Sequence, residues 1–203
     1  MQTASEIISE DSREEQIAQT GILFSETMSG MCQWKPQYTV QEEQSSLAIT
    51  VDVCISNLDQ WNDSAISYKG TFEGTVRIGS WKGKLTDGSV SLFDKDHSGN
   101  ASKVMYYGLS FEKEGEQYTL EGKKYLGNNI LKMWWETTTL KVIIKNEQQV
   151  VVGEGTLRLS PQAFMKQLST MRAVVPSNKP AKRLKVFSAF IAGFTIKLLT
   201  AYR

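Results

Sequence analysis

Between Thr20 and about residue 159 the chain alternates apolar and polar positions with a period of two, the signature of strands with one buried face. The segments read as strands are Ile22–Trp34, Leu47–Ser56, Ser67–Gly79, Ser89–Phe93, Lys103–Glu112, Gln117–Tyr125, Met133–Lys145 and Val150–Leu159. Leu47, Ile49, Val51, Val53 and Ile55 share one face of their segment, and Met105, Tyr107, Leu109 and Phe111 share one face of theirs. Glu114-Gly115 and Asn146-Glu147-Gln148 are the turns that join the later pairs. After Ser160 the period changes. Ser160-Pro161 is an N-cap with proline at the first helical position, and Phe164, Leu168 and Met171 follow at helical spacing, which predicts a helix over 161–172.

The connections between strands are too short for helical crossovers, so the sheet is expected to be antiparallel. About eight such strands close into a barrel able to hold one small ligand, in the manner of lipocalin-like or allene-oxide-cyclase-like barrels. A two-sheet β-sandwich is the alternative. Glycines inside the segments (Gly70, Gly74, Gly108, Gly122, Gly153, Gly155) fit bends or bulges in a closing sheet. The domain reading is an acidic leader over 1–19, a barrel with its helix over 20–172, a proline-containing linker over 173–182, and an apolar helix over 183–203.

Charge and composition narrow the function classes. A net charge of +1 provides no general field for nucleic acid. The polar N-terminus has no basic and no apolar region of the signal-peptide kind, and Cys32 and Cys54 make no disulfide framework, so a cytoplasmic location is expected. The apolar stretch Val186–Tyr202 falls short of the ~20 residues a membrane span wants. It reads as a docked helix, or as a membrane-surface contact aided by Lys179, Lys182, Arg183 and Lys185.

Several ordered motifs resemble a bacterial family of cyanobacteria and actinobacteria: Phe24-Ser25-Glu26-Thr27-Met28-Ser29-Gly30, Met105-x-Tyr107-x-Leu109-x-Phe111, Tyr118-x-Leu120-x-Gly122-x-Lys124, Thr137-Thr138-Thr139-Leu140, Gly153-x-Gly155-x-Leu157 and Phe164-x-x-Gln167-Leu168-x-Thr170. That family is an accessory β domain fused to, or encoded with, glucose–methanol–choline-type oxidoreductases and lipid-active hydrolases. The resemblance implies sterol-like, isoprenoid or fatty molecules nearby and an oxidoreductase as a partner, with no catalytic assignment for this domain. The chain has no GxGxxG opening a βαβ unit and is not itself such an oxidoreductase.

The candidate chemistry lies in charged residues on apolar faces. Glu26 shares a face with Ile22, Phe24 and Met28; Glu136 with Trp134, Thr138, Leu140 and Val142; Lys124 with Tyr118 and Leu120. If these faces all point inward, Glu26, Glu136 and Lys124, with Tyr107, form one polar cluster fit for acid–base work or for a structural network. Phe24, Met28, Tyr68, Phe72, Met105, Trp134 and Thr138 are the expected ligand-binding wall. The tandem Trp134-Trp135, read as strand, puts one indole on each side of the sheet. His97, the only histidine, lies in a polar turn, so neither a serine triad nor a zinc site is expected, and no cofactor or metal is called for.

Two small-molecule functions follow from this reading. One is binding of a hydrophobic small molecule (lipid, isoprenoid or polyketide-like) in the barrel, in a biosynthetic or lipid-modifying pathway. The other is a cofactor-independent cyclase, isomerase or dehydratase that folds a polyene-type substrate, with inward carboxylates as acid and base. A purely structural interaction domain, docking through the C-terminal helix, is the third.

Overall fold

The structure is a computed structural model and describes residues 20–35, 44–56, 58, 68–95, 103–127, 129–176 and 179–202. The leader expected over 1–19, Trp61 and His97 lie outside these residues.

The strands are β1 (Gly21–Trp34), β2 (Gln44–Ile55), β3 (Tyr68–Ile78), β4 (Trp81–Lys95), β5 (Lys103–Lys113), β6 (Glu116–Leu126), β7 (Thr139–Asn146), β8 (Val151–Arg158) and the short β9 (Arg172–Val174). Each of the first eight pairs antiparallel with its sequence neighbour, and β8 pairs with β1, so the sheet closes into an eight-stranded antiparallel barrel. β9 adds to the free stretch of β1 through Gly21–Leu23. The barrel, rather than the sandwich, is the architecture.

Alternation sets the inside. Ile22, Met28 and Cys32 of β1 and Leu47, Ile49, Val51, Val53 and Ile55 of β2 are all buried, with Glu26 opposite Val51 and Met28 opposite Ile49 in the register. Val76, Leu109, Phe111, Leu120, Val142, Ile144 and Leu157 continue the same lining around the barrel. The outer face carries polar pairs such as Thr27–Thr50 and Lys145–Glu121. Two inner glycines permit the closest strand approaches: a Cβ on Gly30 would meet the Thr156 carbonyl at 2.0 Å, and one on Gly74 the Thr50 carbonyl at 2.1 Å. Only a residue without a side chain lets the neighbouring backbone come so near.

The two ends of the barrel differ. Tight hairpins close one end: Gly79 between β3 and β4, and Glu114-Gly115 between β5 and β6, take the positive φ values such turns require. There Trp81 packs on Phe111 at 5.8 Å and Phe111 stacks on Tyr118 at 5.6 Å. The described α-helices gather at the other end: α1 (Met133–Thr138) between β6 and β7, α2 (Pro161–Thr170) after β8, and α3 (Pro180–Ala201) after β9. Ser160 caps α2 as expected, its hydroxyl accepting from the Ala163 N–H. α3 docks through buried Phe190 and through Phe194, whose ring meets Phe93 edge-on at 5.1 Å.

Several sequence expectations shift. The short strand expected at Ser89–Phe93 is part of the longer β4, broken by irregularities between Leu85 and Asp87 and between Ser91 and Asp94. The helix expected over 161–172 ends at Thr170, β9 straddles its boundary with the expected linker, and the last helix begins at Pro180. The largest change is at Met133–Lys145. Its first half, Met133–Thr138, is not strand but the helix α1, entered from a 3-10 turn at Ile130–Lys132.

Candidate functional site

Glu26 is 2% exposed, Lys124 3% and Tyr107 5%. Alternation alone delivers each to the interior, because each occupies an inward position of its strand. In the barrel order, β5 lies diametrically opposite β1, with β6 next to it. The three side chains therefore meet across the interior. Lys124 Nζ donates to Glu26 Oε1 at 2.8 Å, and the Tyr107 hydroxyl donates to Glu26 Oε2 at 3.2 Å. Lys124 Nζ also stands 4.7 Å from the centroid of the Tyr107 ring. Both carboxylate oxygens of Glu26 are thus engaged, and the bridge braces opposite walls.

A charge in such surroundings is costly unless it is paired and hydrogen-bonded, and here both charges are. Burial pushes the Tyr107 hydroxyl well above the ordinary phenol range, and the Glu26 carboxylate adds to the shift. For Lys124 burial works the other way, favouring the neutral amine. The Glu26 carboxylate outweighs it, with Tyr107 helping, so the ammonium is held above its usual value. Both groups keep their protons at neutral pH. The site presents an ammonium and a phenol as fixed hydrogen-bond donors on one carboxylate.

One pleat nearer the helix-capped end stand Phe24 of β1, Phe72 of β3 and Met105 of β5; the Phe72 and Tyr107 rings lie 6.3 Å apart. Met28 lies one pleat the other way, toward the hairpin end. These four expected wall residues line the interior, three of them buried and Phe24 packed against the core. Tyr68 opens β3 opposite Leu92, and its side chain lies outside the described set.

Glu136, Trp134 and Thr138 do not join the site. They sit on α1, beyond the end of β6, and helical rotation replaces the alternation that had pointed them inward. Glu136 accepts from the Gly127 N–H at 2.7 Å and so ties α1 to the end of β6. It also raises the Tyr202 hydroxyl, after burial, above its ordinary range. Trp134 meets Phe164 of α2 edge-on at 5.2 Å, and the Thr138 hydroxyl bonds back to the Trp134 carbonyl. Trp135 is 59% exposed, with the Arg158 guanidinium 5.8 Å from its ring. The signal for this helix was in the sequence. Asn129 caps the preceding turn by accepting from Leu131 N–H, and the Thr137 and Thr138 hydroxyls satisfy the carbonyls of Met133 and Trp134. The β-branched threonines masked it by favouring strand.

On the outer face Tyr106 lies under Lys123, whose Nζ is 5.2 Å from the ring centroid. Cys32 is buried, and burial, aided by Glu154, pushes its thiol up to about 12.

Fold and site together define a closed antiparallel β-barrel with a buried Glu–Lys–Tyr bridge across its interior. Comparison of the chain with protein-family models, with curated proteins and with solved structures finds no match. The likeness to oxidoreductase-associated domains rests on the short motifs alone.

Proposed function

We propose that the barrel binds a hydrophobic small molecule of lipid, isoprenoid or polyketide-like kind that carries one polar group. The apolar body lies on the helix-capped side, against Phe24, Phe72 and Met105, and the polar group is held by Lys124 and Tyr107. The observation that carries this reading is the Glu26–Lys124–Tyr107 bridge, the charged cluster inside an otherwise apolar wall. Ligand sites of this kind pair a greasy lining with a few placed polar groups. The raised proton affinities of Lys124 and Tyr107 favour holding over acid catalysis, since a good general acid has a value near the working pH. The two-carboxylate cyclase loses its expected partner to Glu26, because Glu136 is on α1.

Extraction of the purified protein with organic solvent, followed by mass spectrometry, tests the reading. A co-purifying apolar molecule is expected, together with binding of a hydrophobic dye that the extracted molecule displaces. The dye's affinity should fall when Phe72 or Met105 is enlarged to Trp. No co-purifying ligand and no dye binding would leave the bridge as a structural brace and end the proposal. Turnover of a polyene-type substrate that disappears in both Glu26→Gln and Tyr107→Phe would instead establish the cyclase.

A further inference from the structure

We propose that α3 seats the protein on an anionic lipid bilayer, lying in the headgroup plane with its outward face in the acyl boundary. Among the described residues, α3 is the one helix long and apolar enough to cross a membrane, with a mean hydropathy of 1.6. Its inward side holds Phe190 and Phe194 on the barrel, and Ala201 and Tyr202 are buried at its end. Its outward side shows Leu184 (67% exposed), Ile191, Ile196 (64%) and Leu199. From Ser188 to Thr200 every exposed position is apolar, small or hydroxyl-bearing. A surface helix that faces water carries charge on that side.

Charge complementarity identifies the occupant. The helix contains no Asp or Glu, and exposed Lys179, Lys182 and Lys185 stand at its start. A second basic group stands near its other end. Lys123 and Lys141 line, with Trp135 and Glu136, a surface groove of about 540 Å³, and Arg158 lies over the Trp135 ring. The Glu136 carboxylate adds to burial in raising the hydroxyl of Tyr202, the residue that closes α3. An apolar strip bracketed by cations, with an exposed indole beside it, matches an anionic interface, where each surface lysine contributes and tryptophan sits at headgroup level. The helix lies along the membrane instead of crossing it, because crossing would strip Phe190 and Phe194 from the barrel and carry Lys197 into hydrocarbon. This placement turns the helix-capped end of the barrel toward the lipid, and it stands whether or not the barrel holds a ligand.

Flotation of the full-length protein with vesicles of phosphatidylcholine alone, and of phosphatidylcholine mixed equally with phosphatidylglycerol, tests it. Binding is expected to the mixed vesicles only and to weaken as salt rises. Ile191→Ser/Ile196→Ser and, separately, Lys182→Glu/Lys185→Glu should each lower partitioning about tenfold or more. All four positions are exposed, so the thermal midpoint should stay near that of the wild type. No flotation with either vesicle overturns the proposal, as does flotation that these variants leave unchanged. A dimer in sedimentation that Ile191→Ser/Ile196→Ser dissolves, with no vesicle binding, would assign the face to a second copy of the chain and overturn it too.

Discussion

Glu26 and Glu136 look alike in sequence, each a carboxylate among alternating apolar residues, yet they occupy opposite environments. Glu26 sits in the barrel wall, 2% exposed, with both oxygens committed to Lys124 and Tyr107 on the far side of the interior. Glu136 sits on the helical cap and serves local structure, accepting from the Gly127 N–H. The difference teaches that a buried carboxylate is defined by what crosses to meet it. Alternation identifies a face; the closed sheet decides whether a cation stands opposite.

The largest expected effect comes from breaking the inner site at one partner. Lys124→Met should cost about 3–5 kcal/mol in chemical denaturation, since it leaves the Glu26 carboxylate buried without a counter-charge. The double variant Glu26→Leu/Lys124→Met should regain part of that loss, staying about 1–3 kcal/mol below the wild type because the Tyr107 hydroxyl is left buried without its acceptor. A double variant as unstable as Lys124→Met alone would show that the pair is not what the single substitution disturbs.

Alkaline pH is the next lever. Lys124 and Tyr107 both bind their protons more tightly folded than unfolded, where the ordinary values are about 10.4 and 10. Above those values the unfolded chain has released protons that the folded chain still holds, so stability falls as pH rises. Their contribution is complete below about pH 9 and declines from about pH 10 upward. Cys32, raised to about 12, adds in the same direction. Denaturation midpoints across this range should fall more steeply for the wild type than for Glu26→Leu/Lys124→Met. Equal slopes would separate the alkaline loss from the bridge.

Removing the Tyr107 hydroxyl with Tyr107→Phe should cost about 1–3 kcal/mol, because one oxygen of a buried carboxylate loses its donor. On the cap, Glu136→Ala should cost only about 1 kcal/mol through the Gly127 N–H. Combined with Tyr107→Phe it should be additive within about 0.5 kcal/mol, as the two carboxylates share no partner. A larger coupling would mean that cap and barrel wall communicate. Trp135→Ala, at an exposed site, should change stability by no more than about 0.5 kcal/mol.

The sequence by itself determined the strands and their inner faces. Val51, Leu109, Leu120 and Glu26 alternate so regularly that burying one member of a face buries the rest, and a one-residue slip would turn a whole apolar row to water. It also determined the cap of α2, through the hydroxyl and proline of Ser160-Pro161. Closure, and the meeting of Glu26, Lys124 and Tyr107, belonged to the tertiary structure. These residues lie 81 and 98 positions apart from Glu26, and only the pairing of β8 with β1 brings β5 and β6 opposite it. The tertiary structure also decided the fate of Trp134, Glu136 and Thr138. Local propensity there was divided between β-branched residues that favour a strand and hydroxyl and amide side chains able to close a helical turn. The contacts of Trp134 with Phe164 and of Glu136 with Gly127 settled it for the helix.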